Sequence, residues 1–233
     1  MKHFENLQNW LLHTPNGRYI LANERVFYHN FVHNVFGYYA LQIGFPQINL
    51  LQNNKIQQRY ILGYDIKCDL HFLPFSSNSV DLIICPHILE FSDNYPRLLE
   101  EFYRILIPDG KLIITCFSNN LFSHIIKKPE ELAAGNFIKL NTLKQQLNSL
   151  NFRIAGGKFF CYRPLLSNRN IFSKLGWLEK VGDRWFPTSA NIFGLTAIKD
   201  KFSLTPLQTT PPTYAPKFEP NLGISGYKNT INL

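Results

Sequence analysis

The sequence predicts a single α/β domain on a mostly parallel sheet, and three neighbouring segments carry that prediction. Val80 to Cys85 is almost continuously apolar, as expected of a strand covered on both faces. Leu98, Leu99, Phe102, Ile105 and Leu106 then fall on one stripe of a helix, with Glu100, Glu101 and Arg104 on the other side. Pro108-Asp109-Gly110 stops that helix, and Lys111 to Phe117 reads as the next strand. Strand, helix and strand in so short a span form a βαβ unit, whose handedness sets both strands in one parallel sheet.

The remaining elements follow in chain order. Phe27, Phe31 and Val35 recur at a spacing of four before Gly37, which predicts an amphipathic helix over 23–36 with a glycine C-cap. Tyr38 to Ile43 is a short strand that ends in the turn Gly44-Phe45-Pro46. A helix is expected over 48–58, although asparagines there favour turns. Short strands are expected at Tyr60–Tyr64 and at Ile66–Leu70. Ser92 or Asp93 caps the helix of the βαβ unit, with Pro96 in its first turn. Thr142 starts a helix through Leu150. Two late strands, Phe152–Tyr162 and Asn191–Ile198, flank a helix over 171–181. Residues 1–202 thus make one domain, with N-terminal helices in 1–37 as a cap. From Ser203 onward prolines punctuate a Thr- and Asn-rich stretch, read as an extended tail over 203–233.

The bulk properties narrow the setting. Apolar residues make up 45% of the 233-residue chain, enough for a full core. The formal net charge is +8, which allows a polyanionic partner, but with only 17% charged residues there is no dense basic block. Cys68, Cys85, Cys116 and Cys161 are widely spaced and read as free thiols of a cytoplasmic protein. The first residues lack the apolar core of a signal peptide, and no run is long enough for a membrane helix. His29 and His33 stand four apart on a helix, but no third ligand accompanies them, so no metal site is expected. Tyr162-Arg163 and Arg184-Trp185 put cations beside aromatics, a pairing that serves base stacking or simple packing.

In an open parallel sheet, ligands bind outside the carboxyl ends of the strands where strand order reverses. Gly44, Asp65, Asp69 and Pro86 close four such ends. Asp65 follows Gly44 at close to the interval separating the first turn of a nucleotide fold from its ribose-binding acid.

One stretch also resembles a known family. Asp69-Leu70-His71-Phe72-Leu73-Pro74-Phe75, then Ser79-Val80-Asp81-Leu82-Ile83, then Leu98-Leu99-Glu100-Glu101 and Arg104-Ile105-Leu106-Ile107-Pro108-Asp109-Gly110-Lys111-Leu112 are similar, in order and spacing, to class I S-adenosylmethionine-dependent methyltransferases of the type 11 kind. Gly17-Arg18-Tyr19, Leu41-Gln42-Ile43-Gly44, Pro86-His87-Ile88-Leu89-Glu90-Phe91 and Gly182-Asp183-Arg184-Trp185 resemble an uncharacterised bacterial subgroup of it. The resemblance implies a Rossmann-like doubly wound sheet with an antiparallel last strand and helices on both faces. It implies S-adenosylmethionine as cofactor and methyl transfer to an unidentified acceptor as the activity, with a small molecule the foremost candidate partner. Gly44 would let the backbone approach the methionine moiety, with Gln42 and Phe45 beside it. Asp65 would hold the ribose, and Asp69 and Leu70 would meet the adenine. Arg18 would pair with the cofactor carboxylate, and Pro86 would lie beside the reactive methyl. His87 is the candidate general base, and Glu90 would orient it or contact the substrate. The chain departs from the family in its first motif, where Gly44-Phe45-Pro46-Gln47-Ile48 stands for Gly-x-Gly-x-Gly. A non-catalytic scaffold that keeps the fold and an RNA methyltransferase are the two rival readings.

Overall fold

The computed structural model describes residues 2–66, 68–118, 130–133, 135–165 and 175–201. Two helices open the chain, α1 (Lys2–His13) and α2 (Pro15–Val32). Thr14 caps α2, its hydroxyl oxygen accepting the Gly17 N–H at 3.0 Å, and Pro15 occupies the first turn. This cap sets the start of α2 at Pro15, well before the expected Asn23. The helix also ends early, at Val32 rather than at 36. His33 Nδ1 lies 3.1 Å and 3.2 Å from the His29 and Asn30 carbonyls and competes for the last turn.

Strand β1 (Tyr39–Ile43) is followed by β2 (Gln58–Leu62), β3 (Val80–Pro86), α3 (Tyr95–Ile105) and β4 (Leu106–Phe117). Then come α4 (Glu130–Ala133), α5 (Leu140–Ser149), β5 (Phe152–Phe160), α6 (Leu178–Trp185) and β6 (Ile192–Lys199). The six strands are ordered β2-β1-β3-β4-β6-β5. The pairs β1–β2, β1–β3 and β3–β4 are parallel, while β6 runs antiparallel to both β4 and β5. This is the Rossmann-like sheet with an antiparallel last strand that the sequence predicts.

Both faces are covered. On one, Phe27 of α2 stacks on Phe160 at 5.2 Å, and a side chain at Gly194 of β6 would run into its ring. On the other, Tyr103 of α3 meets Phe152 edge-on at 5.3 Å. Lys199 staples the amino-terminal end of the parallel strands. Its ammonium donates to Asn78 Oδ1 and to the Tyr103 and Leu106 carbonyls, each at 2.7 Å.

Several expected elements differ. No helix forms over 48–58. There Asn49 Oδ1 accepts the Leu51 N–H at 2.9 Å and Asn54 Oδ1 the Ile56 N–H at 2.8 Å, turns that displace helical bonding. The loop still covers the sheet with buried Ile48, Leu50, Leu51 and Ile56. The strand expected at Ile66–Leu70 is reduced to one bridge between Leu62 and Ile66. Asn94, rather than Ser92 or Asp93, caps α3 through the Arg97 N–H. Helix α3 ends at Ile105, and β4 begins at once with Leu106, so Pro108-Asp109-Gly110 lies within the strand as an irregularity, with Asp109 at φ 63°. Helix α5 starts at Leu140, just before Thr142. The first part of the helix expected over 171–181 and the tail over 203–233 lie outside the described residues.

Candidate cofactor cleft

Strand order reverses between β1 and β3, so a ligand site is expected at the carboxyl ends of these strands. Backbone strain gathers at the same ends. Gly44 (φ 112°) and Phe45 (φ 50°) follow β1, Gly63 (φ 89°) follows β2, and His87 (φ 52°) follows β3. Non-glycine residues held in this region mark a constrained site.

Two cavities open here. One, of about 330 Å³, is walled by Gly44, Pro46, Leu62, Gly63 and, across from them, Phe4 and Glu5 of α1. The other, of about 260 Å³, is walled by Asp69, His71, Phe91, Ser92 and Asp93. Phe4, Cys68, Leu70 and Ile88 line both. A Cβ on Gly44 would stand 3.0 Å from the Phe4 ring and 3.0 Å from the Pro86 carbonyl, so only glycine fits that wall.

The predicted residues divide into three groups. Gly44, Asp69 and Leu70 line the cavities. Asp69 is exposed, and the His71 N–H at 2.9 Å holds its carboxyl below the usual range. Asp65 closes the β2 turn with Oδ2 accepting the Ile61 N–H at 2.6 Å, and Arg18 is exposed on α2. The others are buried. Gln42 spends its amide on the loop after β1: Nε2 donates to the carbonyls of Gly44 (3.0 Å), Phe45 (3.2 Å) and Ile48 (2.6 Å), and Oε1 accepts the Leu50 N–H (2.9 Å). Phe45 stacks on Phe4 at 4.8 Å, and Pro86 is enclosed.

His87 and Glu90 are brought together, as their spacing predicts, but in the core. His87 is 0% exposed, and its ring stacks on Phe117 at 4.0 Å. Nδ1 lies 3.1 Å from Glu90 Oε2. Nε2 lies 2.8 Å from Glu24 Oε1 of α2, a close ion pair. Burial disfavours the charged ring, but the Glu24 and Glu90 carboxylates together outweigh it and push the His87 pKa up to about 10. An imidazolium has no lone pair with which to take a proton, so this arrangement corrects the expectation of a base facing the pocket. The network continues: Thr115 donates to Glu24 Oε1 at 2.7 Å, which obliges Tyr28, 3.0 Å from the same hydroxyl, to donate to Thr115. Glu90 Oε1 accepts the Phe117 N–H.

Glu24 and Phe4 are site residues that sequence reasoning misses. Glu24 leaves a trace: it stands in the stripe of Ile20, Leu21, Phe27 and Tyr28, where a lone carboxylate demands a buried partner. Phe4 leaves none, since nothing local says what an N-terminal aromatic covers.

Residues 27–114 match the family described as a methyltransferase domain. The matched stretch runs from the end of α2 into β4 and so holds most of the cleft. An uncharacterised protein of the archaeon Methanocaldococcus jannaschii is 27% identical over 157 residues, covering 66% of this chain and 63% of that protein. The chain therefore spans less than two thirds of the length of that curated relative. Among solved structures, a methyltransferase from Archaeoglobus fulgidus superposes with a TM-score of 0.53 at 18% identity, covering 78% of this chain and 94% of that one. The phosphoethanolamine N-methyltransferase 2 of Haemonchus contortus, solved with S-adenosylhomocysteine, gives 0.52 at 15%, covering 77% and 53%. The cyclase SpnF gives 0.54 at 14%, covering 76% and 80%. At such identities these structures show the shared fold.

S-adenosylmethionine is the cofactor this domain implies, and the cleft fits it. Gly44 and Gly63 offer backbone walls without side chains, Leu70 and Ile88 give apolar surface for an adenine ring, and Asp69 and Glu5 place carboxylates at the rims. Among the described residues no cluster suited to a metal ion is found, and no helix is long and apolar enough to cross a membrane.

Proposed function

We propose that the chain transfers a methyl group from S-adenosylmethionine to a small-molecule acceptor. The observation that carries this reading is the glycine-walled cavity at the ends of β1 and β2, inside the segment that matches the methyltransferase family. The cofactor supplies an electrophilic methyl on a sulfonium. The protein's task is alignment and exclusion of water. Leu70 and Ile88 hold the adenine and Asp69 meets its rim, while Asp65, in the β2 turn and outside the lining of either cavity, would reach the ribose with the oxygen not committed to Ile61. Gly44 receives the methionine part. Arg18 pairs with the cofactor carboxylate only if its exposed side chain folds inward.

A third cavity, of about 410 Å³, lies on the other face of α1, lined by His3, Asn6, Trp10, His13, Glu130 and Glu131, and shares no lining residue with the cofactor cleft. Its size suits a small polar molecule.

Calorimetric titration with S-adenosylhomocysteine tests the proposal. Saturable micromolar binding by the wild-type protein, lost in Gly44→Val, is the expected result. No binding by a protein with a cooperative thermal transition would overturn it, and would leave a methyltransferase fold that serves as a scaffold.

A further inference from the structure

The two cavities of the cleft share four walls. Ile88 stands two residues beyond β3, and Cys68 and Leu70 lie in the segment between β2 and β3. Of the four, Phe4 alone comes from α1. Its ring lies nearly parallel to that of Phe45, 4.8 Å away and 6° apart, and meets Phe91 edge-on at 5.8 Å. It is 6% exposed, stands against Gly44 and borders both spaces. The cavities of about 330 Å³ and about 260 Å³ sit at or below the low end of the roughly 300–1,000 Å³ typical of ligand pockets. Joined, they fall well inside it.

We propose that Phe4 is a cofactor-site residue that partitions the cleft, and that its ring leaves the stack on Phe45 for the cofactor to occupy both sides. The inference rests on the cofactor reading given above. Phe4 is the wall that moves because it alone of the four is carried by a helix outside the sheet and is held at the cleft by ring contacts with Phe45 and Phe91. The stack on Phe45 is then a cost of opening, which slows association and leaves the bound state more tightly enclosed. Trp10, on the same helix and 7% exposed, changes its surroundings when α1 shifts.

The test is stopped-flow binding of S-adenosylhomocysteine to the full chain, followed by Trp10 emission in a Trp177→Phe/Trp185→Phe background, which leaves Trp10 as the single tryptophan of three. Phe4→Leu keeps apolar volume and removes the aromatic stack, and Phe4→Trp, read by calorimetric competition because it adds an indole, enlarges the partition. Association about tenfold faster in Phe4→Leu, with a Trp10 signal on binding, and weaker binding in Phe4→Trp are expected. Equal association rates with and without the Phe4 ring would overturn the partition while leaving the cofactor reading intact. Absence of binding in all the folded proteins would instead overturn the cofactor reading and the partition with it.

Discussion

Replacing Glu24 with glutamine keeps the shape of the side chain and removes one of the two charges that hold His87. The rise of the His87 pKa from 6.5 to about 10 corresponds to a stabilisation on the order of 5 kcal/mol. That figure is an upper bound, because the Glu90 carboxyl is itself pushed up, burial outweighing the imidazolium beside it. The two carboxylates share the effect, and breaking a buried pair on one side costs several kcal/mol. Glu24→Gln is therefore expected to destabilise the fold by about 2–4 kcal/mol near neutral pH, or roughly 5–15 °C in Tm. Its pH dependence follows from the direction of the shift. A histidine whose folded pKa lies above its unfolded value contributes stability that is complete below the unfolded pKa and is lost as pH rises through the folded one. Urea unfolding of wild type and variant across this range should show the gap widest at about pH 6, shrinking steadily as pH rises above that, with the His87 part nearly gone by about pH 10. A gap below about 1 kcal/mol, or one that stays constant with pH, would refute the reasoning.

Two further outcomes are expected. Gln42→Leu leaves the Gly44, Phe45 and Ile48 carbonyls and the Leu50 N–H without their side-chain partner; it should cost about 2–3 kcal/mol in urea unfolding and speed hydrogen exchange at Leu50. Lys199→Met strips three 2.7 Å bonds from the end of the sheet away from the cleft; it should cost about 2 kcal/mol while leaving S-adenosylhomocysteine affinity unchanged by calorimetry.

The βαβ unit is legible because its main signals are local and agree, an apolar strand and then an amphipathic helix, although the Pro-Asp-Gly read as the helix stop lies within β4. The segment from Gly44 to Gln57 is not. Its buried Ile48, Leu50, Leu51 and Ile56 supply enough apolar residues for a helix, but the outcome is decided by side chains bonding to backbone. Gln42, lying in the preceding strand, is the residue that organises the loop, and no window over the loop contains it. The start of α2 escapes for a related reason: a Thr-Pro cap marks it, whereas the apolar period becomes regular only later.

The site divides along the same line. Gly44, Asp69 and Leu70 can be read from sequence because the ends of parallel strands converge by topology, and topology follows from the order of the elements. His87 and Glu90 are paired by a spacing of three, but their environment depends on Glu24, far earlier in the sequence and brought there by α2. The same two residues with a solvent-facing neighbour would make a base and its orienter. With Glu24 opposite they make a buried ion cluster that pins the N-terminal helices to the end of β3. The role of a titratable pair is thus set by a third residue on another element, and a carboxylate in the apolar stripe of α2 is the one sign of it in the sequence.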